Sequence, residues 1–569
     1  MNKIIKIDMK HLTVKEEDSK RYERLGGRGL TSRIILDEVL PTCHPLGGKN
    51  KLIFATGLLT GSGASSADRY SIGAKSPLTG GIKESNAGGI TGLTLGKLGI
   101  KALVFENIRD DFKIIRITKD GITFDNADPI LGKGLSESAT WLRDTYGKHV
   151  AVWLIGVAGE QKMNLAGIAG QDKDGHPTRY NGRGGLGSVA GSKGIKAIVL
   201  DPTGIEKNRP NDRESFKPAL KQYHTSLMET PATSKIFPEL GTAALVETTN
   251  AIGALPTRNF STGSIEGYKN ITGETLRQTI LDRGGDGTPT HACMPGCIIR
   301  CSNVYSDADG NRMTGPIEYE NIGLLGSNLD ITNLDEIAEL NTLCNELGID
   351  TIEAGGALGV LMAQNVIPFG DIKAAKEALN EIRTGSPLGR IVGSGADLIG
   401  KIYGEPKVPT AKGQTMPAYD PRAVKGLGVT YATSPQGADH TAGQTVRAQI
   451  DHHSPEGQVK VSKGAQTVNT VFDNLGMCLF SAGAVKNRWD LLAELVTAYT
   501  GIDFTGEDIV AGAKETLKVE HQFNREAGFT KANDKIADYF YEDENEASKT
   551  VFDVPEEELH SIGVERDDL

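Results

Sequence analysis

Positive charge, long apolar runs and cysteine are what this 569-residue chain has least of, and each shortage excludes something. Its 62 lysines and arginines are outnumbered by 73 aspartates and glutamates, for a formal net charge of −11. A nucleic-acid binder neutralises phosphates with a basic surface, so nucleic acid is not an expected partner. No stretch approaches the roughly 18 uninterrupted apolar residues of a membrane span. The opening MNKIIKIDMKHL has neither the apolar core nor the small-residue cleavage site of a secretory signal. Six cysteines in so long a chain, three of them in one short segment, do not make the disulfide framework of a secreted domain. A metal-binding protein of the reducing cytoplasm is the expectation.

Glycine is abundant, with 70 residues, and hydrophobic residues make up 38%. That is a globular but loop-rich composition, with length for roughly two to four domains. Up to about residue 205, KLIFATGLL, KALVF, KIIRIT, HVAVWLIGVAG and KAIVL read as short strands without regular strand–helix alternation. From 213 to about 400 the apolar period becomes helical, in ESFKPALKQYHTSLMET, NLDEIAELNTLCNELG, IEAGGALGVLMAQNV and IKAAKEALNEIR. Gly348 is placed to cap the second of these helices, after Leu347. Residues 403–422 hold four prolines and read as a linker. DLLAELVTAYTG and GEDIVAGAKETLKVEHQFNREAG are helices beyond it, and the acidic tail from about 541 is weakly patterned. The fold class is α+β: a β-rich platform (1–208) followed by two mostly helical domains, 209–410 and 411–569.

HACMPGCIIRC places Cys293, Cys297 and Cys301 four residues apart. Zinc sites pair their cysteines, whereas three in one segment with one distant partner is an iron–sulfur arrangement. Cys344 falls in the apolar period of a helix, where a buried structural cysteine is the plain reading. Cys478, in VFDNLGMCLFSAG, is the chosen fourth ligand. The spacing does not match the C-x3-C-x2-C of radical S-adenosylmethionine enzymes.

Three glycine-rich runs, at 25–38, 69–92 and 180–200, carry Arg28, Arg69 and Arg183. None makes a Walker loop, a kinase set or a dinucleotide fingerprint. Tight turns are the bland explanation. Exposed backbone N–H groups beside a guanidinium are also a phosphate cradle, so a large phosphate-bearing cofactor is expected on the platform.

Taken together these segments resemble the aldehyde ferredoxin oxidoreductase family of tungsten, sometimes molybdenum, enzymes with two pyranopterins and a [4Fe–4S] cluster. GGRGL, LIFATG, RYSIGAKSPLTGGIKESNAGG, NGRGGLGSVAGSKGIKAI, the cysteine segment, GPIEYENIGLLGSN, GIDTIEAGG, ATSPQGADHT and FDNLGMC carry it, from residue 25 to about 480. The resemblance implies that Arg69, Asn86, Ala87, Gly88, Arg183 and Gly184 contact the pterins and their phosphates, with a magnesium ion between the phosphates. It assigns Asp350 and the Asp473–Cys478 signature, including Met477, to the pterins, and makes Cys478 the fourth cluster ligand. The cofactor would lie between the platform and the helical domains. Glu318, Glu320 and His440 would stand near the metal, a glutamate as proton acceptor and His440 orienting the carbonyl of an aldehyde. Electrons would pass through the cluster to a ferredoxin-like carrier.

The chain departs from the pattern in its C-x3-C-x3-C spacing, where C-x2-C-x3-C is expected, and in Met477 for leucine. No Glu-x-x-His precedes Asp350, so no intersubunit metal is implied, while a homodimer stays open. Glu318 and Glu320 flank Tyr319 with strand spacing, which would put both on one face. Asp350 and Asp473 also read as helix caps, and His440 as a polar loop residue. Two alternatives remain: an iron–sulfur electron-transfer or scaffold subunit on the same fold, and an enzyme of a non-aldehyde substrate.

Overall fold

The structure is a computed structural model that describes residues 3–206 and 208–566. Twelve strands precede the helical region: β1 (Lys3–Asp8), β2 (Thr13–Asp18), β3 (Leu52–Thr56), β4 (Tyr70–Lys75), β5 (Ile82–Ala87), β6 (Ile100–Glu106), β7 (Lys113–Thr118), β8 (Gly121–Asn126), β9 (Ala151–Leu154), β10 (Ile168–Gly170), β11 (Arg179–Asn181) and β12 (Ile195–Leu200). They form two six-stranded sheets, ordered β2-β1-β6-β3-β4-β5 and β11-β10-β9-β12-β7-β8. Both are mixed, since β1 runs parallel to β6 and β12 parallel to β7, while their other pairings are antiparallel. The central strands LIFAT and IKAIVL are buried at every residue, as strands covered on both faces must be. The edge strand β2, TVKEED, is almost wholly exposed, and its charges discourage pairing with another chain.

The two sheets meet through aromatic side chains. Phe54 and Phe105 of the first pack 5.7 Å apart, and Phe54 and Tyr70 stand 4.7 and 5.1 Å from Trp153 of the second. On its far side the first sheet carries the Gly27–Glu38 helix, whose Leu30, Ile34 and Ile35 pack on Ile53, Ala55 and Val104. That helix begins at GGRG because Gly27 takes φ 47°, and a Cβ there would lie 1.9 Å from the Asp473 carbonyl oxygen. A run read from sequence as a loop is therefore a helix lodged between the sheet and the Gly506–Glu526 helix.

The expected helices form at Arg213–Glu229, Leu334–Leu347, Thr351–Ala363, Ile372–Thr384, Trp489–Thr500 and Gly506–Glu526. Gly348 closes the second of these in the left-handed conformation, φ 74°. Two expectations are corrected. The proline-bearing stretch 403–422 is no plain linker: Thr410–Ala411 pairs with Gln414–Thr415, and Asp420 and Arg422 form a buried pair at 2.6 Å. The acidic tail is packed too, with Phe552, Val554, Leu559 and Ile562 buried in the largest core. Its pattern is hard to read because the apolar residues are isolated anchors, not one face of an element. Among the described residues no helix is long and apolar enough to cross a membrane.

Candidate active site and cysteine cluster

The Tyr319–Leu325 helix decides where the two glutamates go. Glu318 is its N-cap, in a reciprocal capping box with Asn321, so the strand spacing expected for Glu318 and Glu320 is replaced by a helical first turn. Their side chains part. Glu318 Oε2 accepts from Thr242 Oγ1 at 3.2 Å. Glu320 Oε2 accepts from the Ala418 N–H at 2.8 Å, and its buried Oε1 has no hydrogen-bond partner. That oxygen lies 3.6 Å from His440 Nε2. Burial raises the Glu320 carboxyl above its ordinary range, with the nearby imidazole pulling the other way. Tyr419 stands 5.9 Å from the His440 ring, Tyr319 packs on Tyr419 at 4.9 Å, and the buried Tyr431 hydroxyl has no partner. The result is a mostly buried aromatic group around one acid and one imidazole that face each other.

His440 is held by its neighbour. Asp439 caps its turn through the Thr441 N–H and pairs with Lys83 Nζ at 2.6 Å, both side chains being buried. Burial by itself would raise Asp439, but the charges of Lys83, Arg183 and His440 overcome it and hold the carboxyl well below the usual range. Lys83 was missed from sequence, because its partner is 356 residues away and a lysine in a strand gives no local sign of burial.

The residues assigned to the pterins line the same interior. Asp350 caps the Thr351–Ala363 helix through Ile352 N–H and receives Arg183 Nε at 3.2 Å. The rest of that guanidinium donates to the carbonyls of Ala438 and Thr415. Gly184 has φ 81°, and a Cβ there would meet Lys83 Cγ at 2.3 Å. Arg69 donates to the side-chain and backbone oxygens of Asn86. Ala87 ends β5, and a Cβ on Gly88 would stand 3.1 Å from Cys293 Sγ. Asp473 lies in the last turn of the Gln458–Leu475 helix, 3.4 Å from Arg28, with Met477 wholly buried just beyond. All three guanidiniums of the glycine-rich runs have protein partners. Arg28 is bound by Glu520 through two bonds of 2.8 and 2.7 Å, and Arg69 and Arg183 are likewise committed, because a buried cation must be satisfied by protein oxygens. Glu353 and Glu520 were also missed. The one signal for Glu353 was a charge inside the apolar run IEAGGALGV; it accepts from the N–H groups of Ala396 and Thr415.

Cys293, Cys297 and Cys301 sit in the loop between the strands Thr288–His291 and Ser302–Ser306. The pair Ser65–Ser66 joins this loop to Cys478. Ser66 Oγ is 3.3 Å from Cys297 Sγ, the Ser66 carbonyl accepts from Cys478 N–H at 2.8 Å, and Ser65 Oγ accepts from Ile298 N–H at 2.9 Å. Burial pushes the Cys293 thiol up to about 12, and burial likewise raises Cys301 and Cys478, each further lifted by its neighbouring sulfurs. Cys344 is fully buried in its helix, apart from this group, as its apolar period predicted.

Sequence comparison matches residues 4–202 to the N-terminal domain of aldehyde ferredoxin oxidoreductase and residues 218–561 to its domains 2 and 3. The chain belongs to the aldehyde ferredoxin oxidoreductase family. Among the curated members of the family, the tungsten-containing aldehyde ferredoxin oxidoreductase of Pyrococcus furiosus is 33% identical over 93% of this chain and 88% of its own. That of Thermococcus kodakarensis is 32% identical over 91% and 87%. A more distant relative, the WOR-like subunit of the aliphatic sulfonate oxidoreductase of Pyrococcus furiosus, is 25% identical over 89% and 82%. The active-site complex BamBC of benzoyl coenzyme A reductase, solved with 1,5-dienoyl-CoA, shares the fold at TM-score 0.82 and 17% identity, over 98% of this chain and 93% of that one.

Membership in the aldehyde ferredoxin oxidoreductase family makes this a tungsten pterin oxidoreductase. The interior suits such a group. Glu84 Oε1, Gln414 Oε1, Gln436 Nε2 and His440 Nδ1 are buried without partners, alongside Glu320 Oε1. Orphaned donors and acceptors of this kind match a heterocycle that presents both along its edges. The backbone at Gly88 and Gly184, where no Cβ fits, allows the chain to come close to it.

Proposed function

We propose that the chain oxidises aldehydes to carboxylic acids and passes the electrons through a [4Fe–4S] cluster to a ferredoxin-like acceptor. The observation that carries this reading is Glu320 and His440 facing each other among buried aromatic side chains, with an unpartnered carboxylate oxygen between them. Aldehyde and water become carboxylic acid, two protons and two electrons, so the site needs a proton acceptor beside a group that orients a carbonyl. Glu320, its carboxyl raised above the ordinary range by burial, is suited to take a proton from water. His440 Nε2 donates to the carbonyl oxygen and polarises it. Tyr319, Tyr419 and Tyr431 keep bulk water out, and the Lys83–Asp439 pair fixes the turn that carries the imidazole. Glu318, bound to Thr242, is a positioning residue at the helix start.

Arg69, Asn86, Ala87, Gly88, Arg183, Gly184, Asp350, Asp473 and Met477 would hold the two pterins, with magnesium between their phosphates. Cys293, Cys297, Cys301 and Cys478 would hold the cluster. The tungsten centre supplies two-electron redox chemistry when bound. A scaffold role is less well supported, because an electron-transfer subunit has no use for a buried, unpaired carboxylate facing an imidazole.

The test is elemental analysis of anaerobically purified protein, followed by aldehyde-dependent viologen reduction. About four irons and about one tungsten per chain with aldehyde turnover is the expected result. Full metal content without turnover of any aldehyde would turn the assignment to another oxo-substrate. Iron without tungsten or molybdenum would support the electron-transfer subunit.

A further inference from the structure

Most buried tyrosines of this chain give their hydroxyl to an oxygen. Tyr223 donates to the Ser65 carbonyl at 2.9 Å, Tyr305 to the Asp335 carboxylate at 2.7 Å and Tyr499 to the Thr60 carbonyl at 2.9 Å. Tyr319, beside Glu320, donates to the Ala418 carbonyl. Tyr431 is wholly buried as well, yet its hydroxyl has no hydrogen-bond partner among the described residues. The unpaired hydroxyls of Tyr70 and Tyr539 lie elsewhere, against Trp153 and Phe540.

Tyr431 sits in the Lys425–Thr433 helix, which is buried at every residue. That helix is tied to the turn carrying His440. Thr430 Oγ1 donates to the Gly443 carbonyl at 2.9 Å, and the Gly443 N–H donates to the His440 carbonyl at 3.3 Å. Within the site the Tyr431 phenol feels the charge of Glu320 first, then those of Tyr319, Arg183 and Asp439. Burial raises the phenol well above its ordinary range and Glu320 raises it further, so it keeps its proton and stays a donor. Tyr431 O–H, Glu320 Oε1 and His440 Nε2 thus stand together, and neither of the two oxygens has a partner. An orphaned buried donor destabilises the free protein and is satisfied when an acceptor binds.

We propose that Tyr431 is a further catalytic residue, whose phenol donates to the carbonyl oxygen of the substrate alongside His440 Nε2. The inference rests on the reading above that an aldehyde is oxidised beside Glu320. A carbonyl oxygen has two lone pairs and accepts from both donors. Glu320 Oε1 is then left for the proton of the attacking water, and Tyr431 keeps its own proton throughout. The hydrogen bond tightens as the carbonyl oxygen gains negative charge, so the phenol acts on the reacting state more than on the bound aldehyde.

The experiment compares the holoenzyme with Y431F, which removes the hydroxyl and keeps the ring, in benzaldehyde-dependent viologen reduction. The variant should lose about 10²- to 10³-fold in kcat, with KM changed by less than about threefold. Tungsten and iron content should match wild type. The urea midpoint should hold or rise, because the fold loses only an unpaired donor. A kcat within about threefold of wild type overturns the proposal. Loss of tungsten also overturns it, by giving the hydroxyl to the cofactor, and a lowered midpoint does so by making it part of the fold. If the wild type oxidises no aldehyde, the reading above fails by itself. Calorimetric titration of benzoate, whose carboxylate offers the same kind of oxygen, onto wild type and variant then judges Tyr431. Weaker binding in the variant supports the donor, and equal binding, or none to either protein, overturns it.

Discussion

His440 Nε2 stands 3.6 Å from Glu320 Oε1, and that oxygen has no hydrogen-bond donor of its own. Ala418 N–H satisfies the other oxygen, so the carboxylate is anchored at one end and open at the other. This asymmetry separates Glu320 from Glu318, which is spent on a helix cap and a threonine.

Glu320→Gln should therefore lower aldehyde turnover about 10²- to 10⁴-fold, the usual worth of a positioned general base. Glu318→Gln keeps an oxygen for the cap and should lose less than about tenfold. Steady-state viologen assays on both variants decide it. The reverse ranking would move the proton acceptor to Glu318.

The pH profile follows from the direction of the Glu320 shift. A base works only when deprotonated, and burial raises this carboxyl above 4.5. Turnover should fall on the acid side at a pH above that of an ordinary glutamate, and Glu320→Gln should remove that limb. An acid limb that survives in Glu320→Gln would belong to another group.

Cysteine replacement should discriminate by position. Cys478→Ser should lower iron content and abolish the reduced-cluster resonance. Cys344→Ser, inside the Leu334–Leu347 helix, should leave both intact at a stability loss of roughly 1–3 kcal/mol from a polar group in the core. Equal iron in both variants would remove Cys478 from the ligand set.

Asp439→Asn leaves Lys83 buried and unpaired. Removing one partner of such a pair destabilises by about 3–5 kcal/mol, readable as a lower urea midpoint. The same variant should also lower turnover, since the turn carrying His440 loses its anchor. A midpoint shift of less than about 1 kcal/mol would mean that another group satisfies Lys83.

Local periodicity and glycine chemistry determined a good deal without any fold. The strands at 52–56, 100–106 and 195–200, the helices around Cys344 and Glu353, the left-handed Gly348 and the isolation of Cys344 were all legible, because each depends on residues within a turn or two. The ordered run of motifs carried the family. Only the tertiary structure decided what the charged residues do. A helix start at Tyr319 parted two glutamates that strand spacing would have aligned, and burial gave Arg28, Arg69 and Arg183 protein partners. Lys83 and Asp439, and Arg28 and Glu520, are pairs separated by 356 and 492 residues. Such partners are chosen by the desolvation of charges in a shared interior, and no local pattern records which distant segment will supply them.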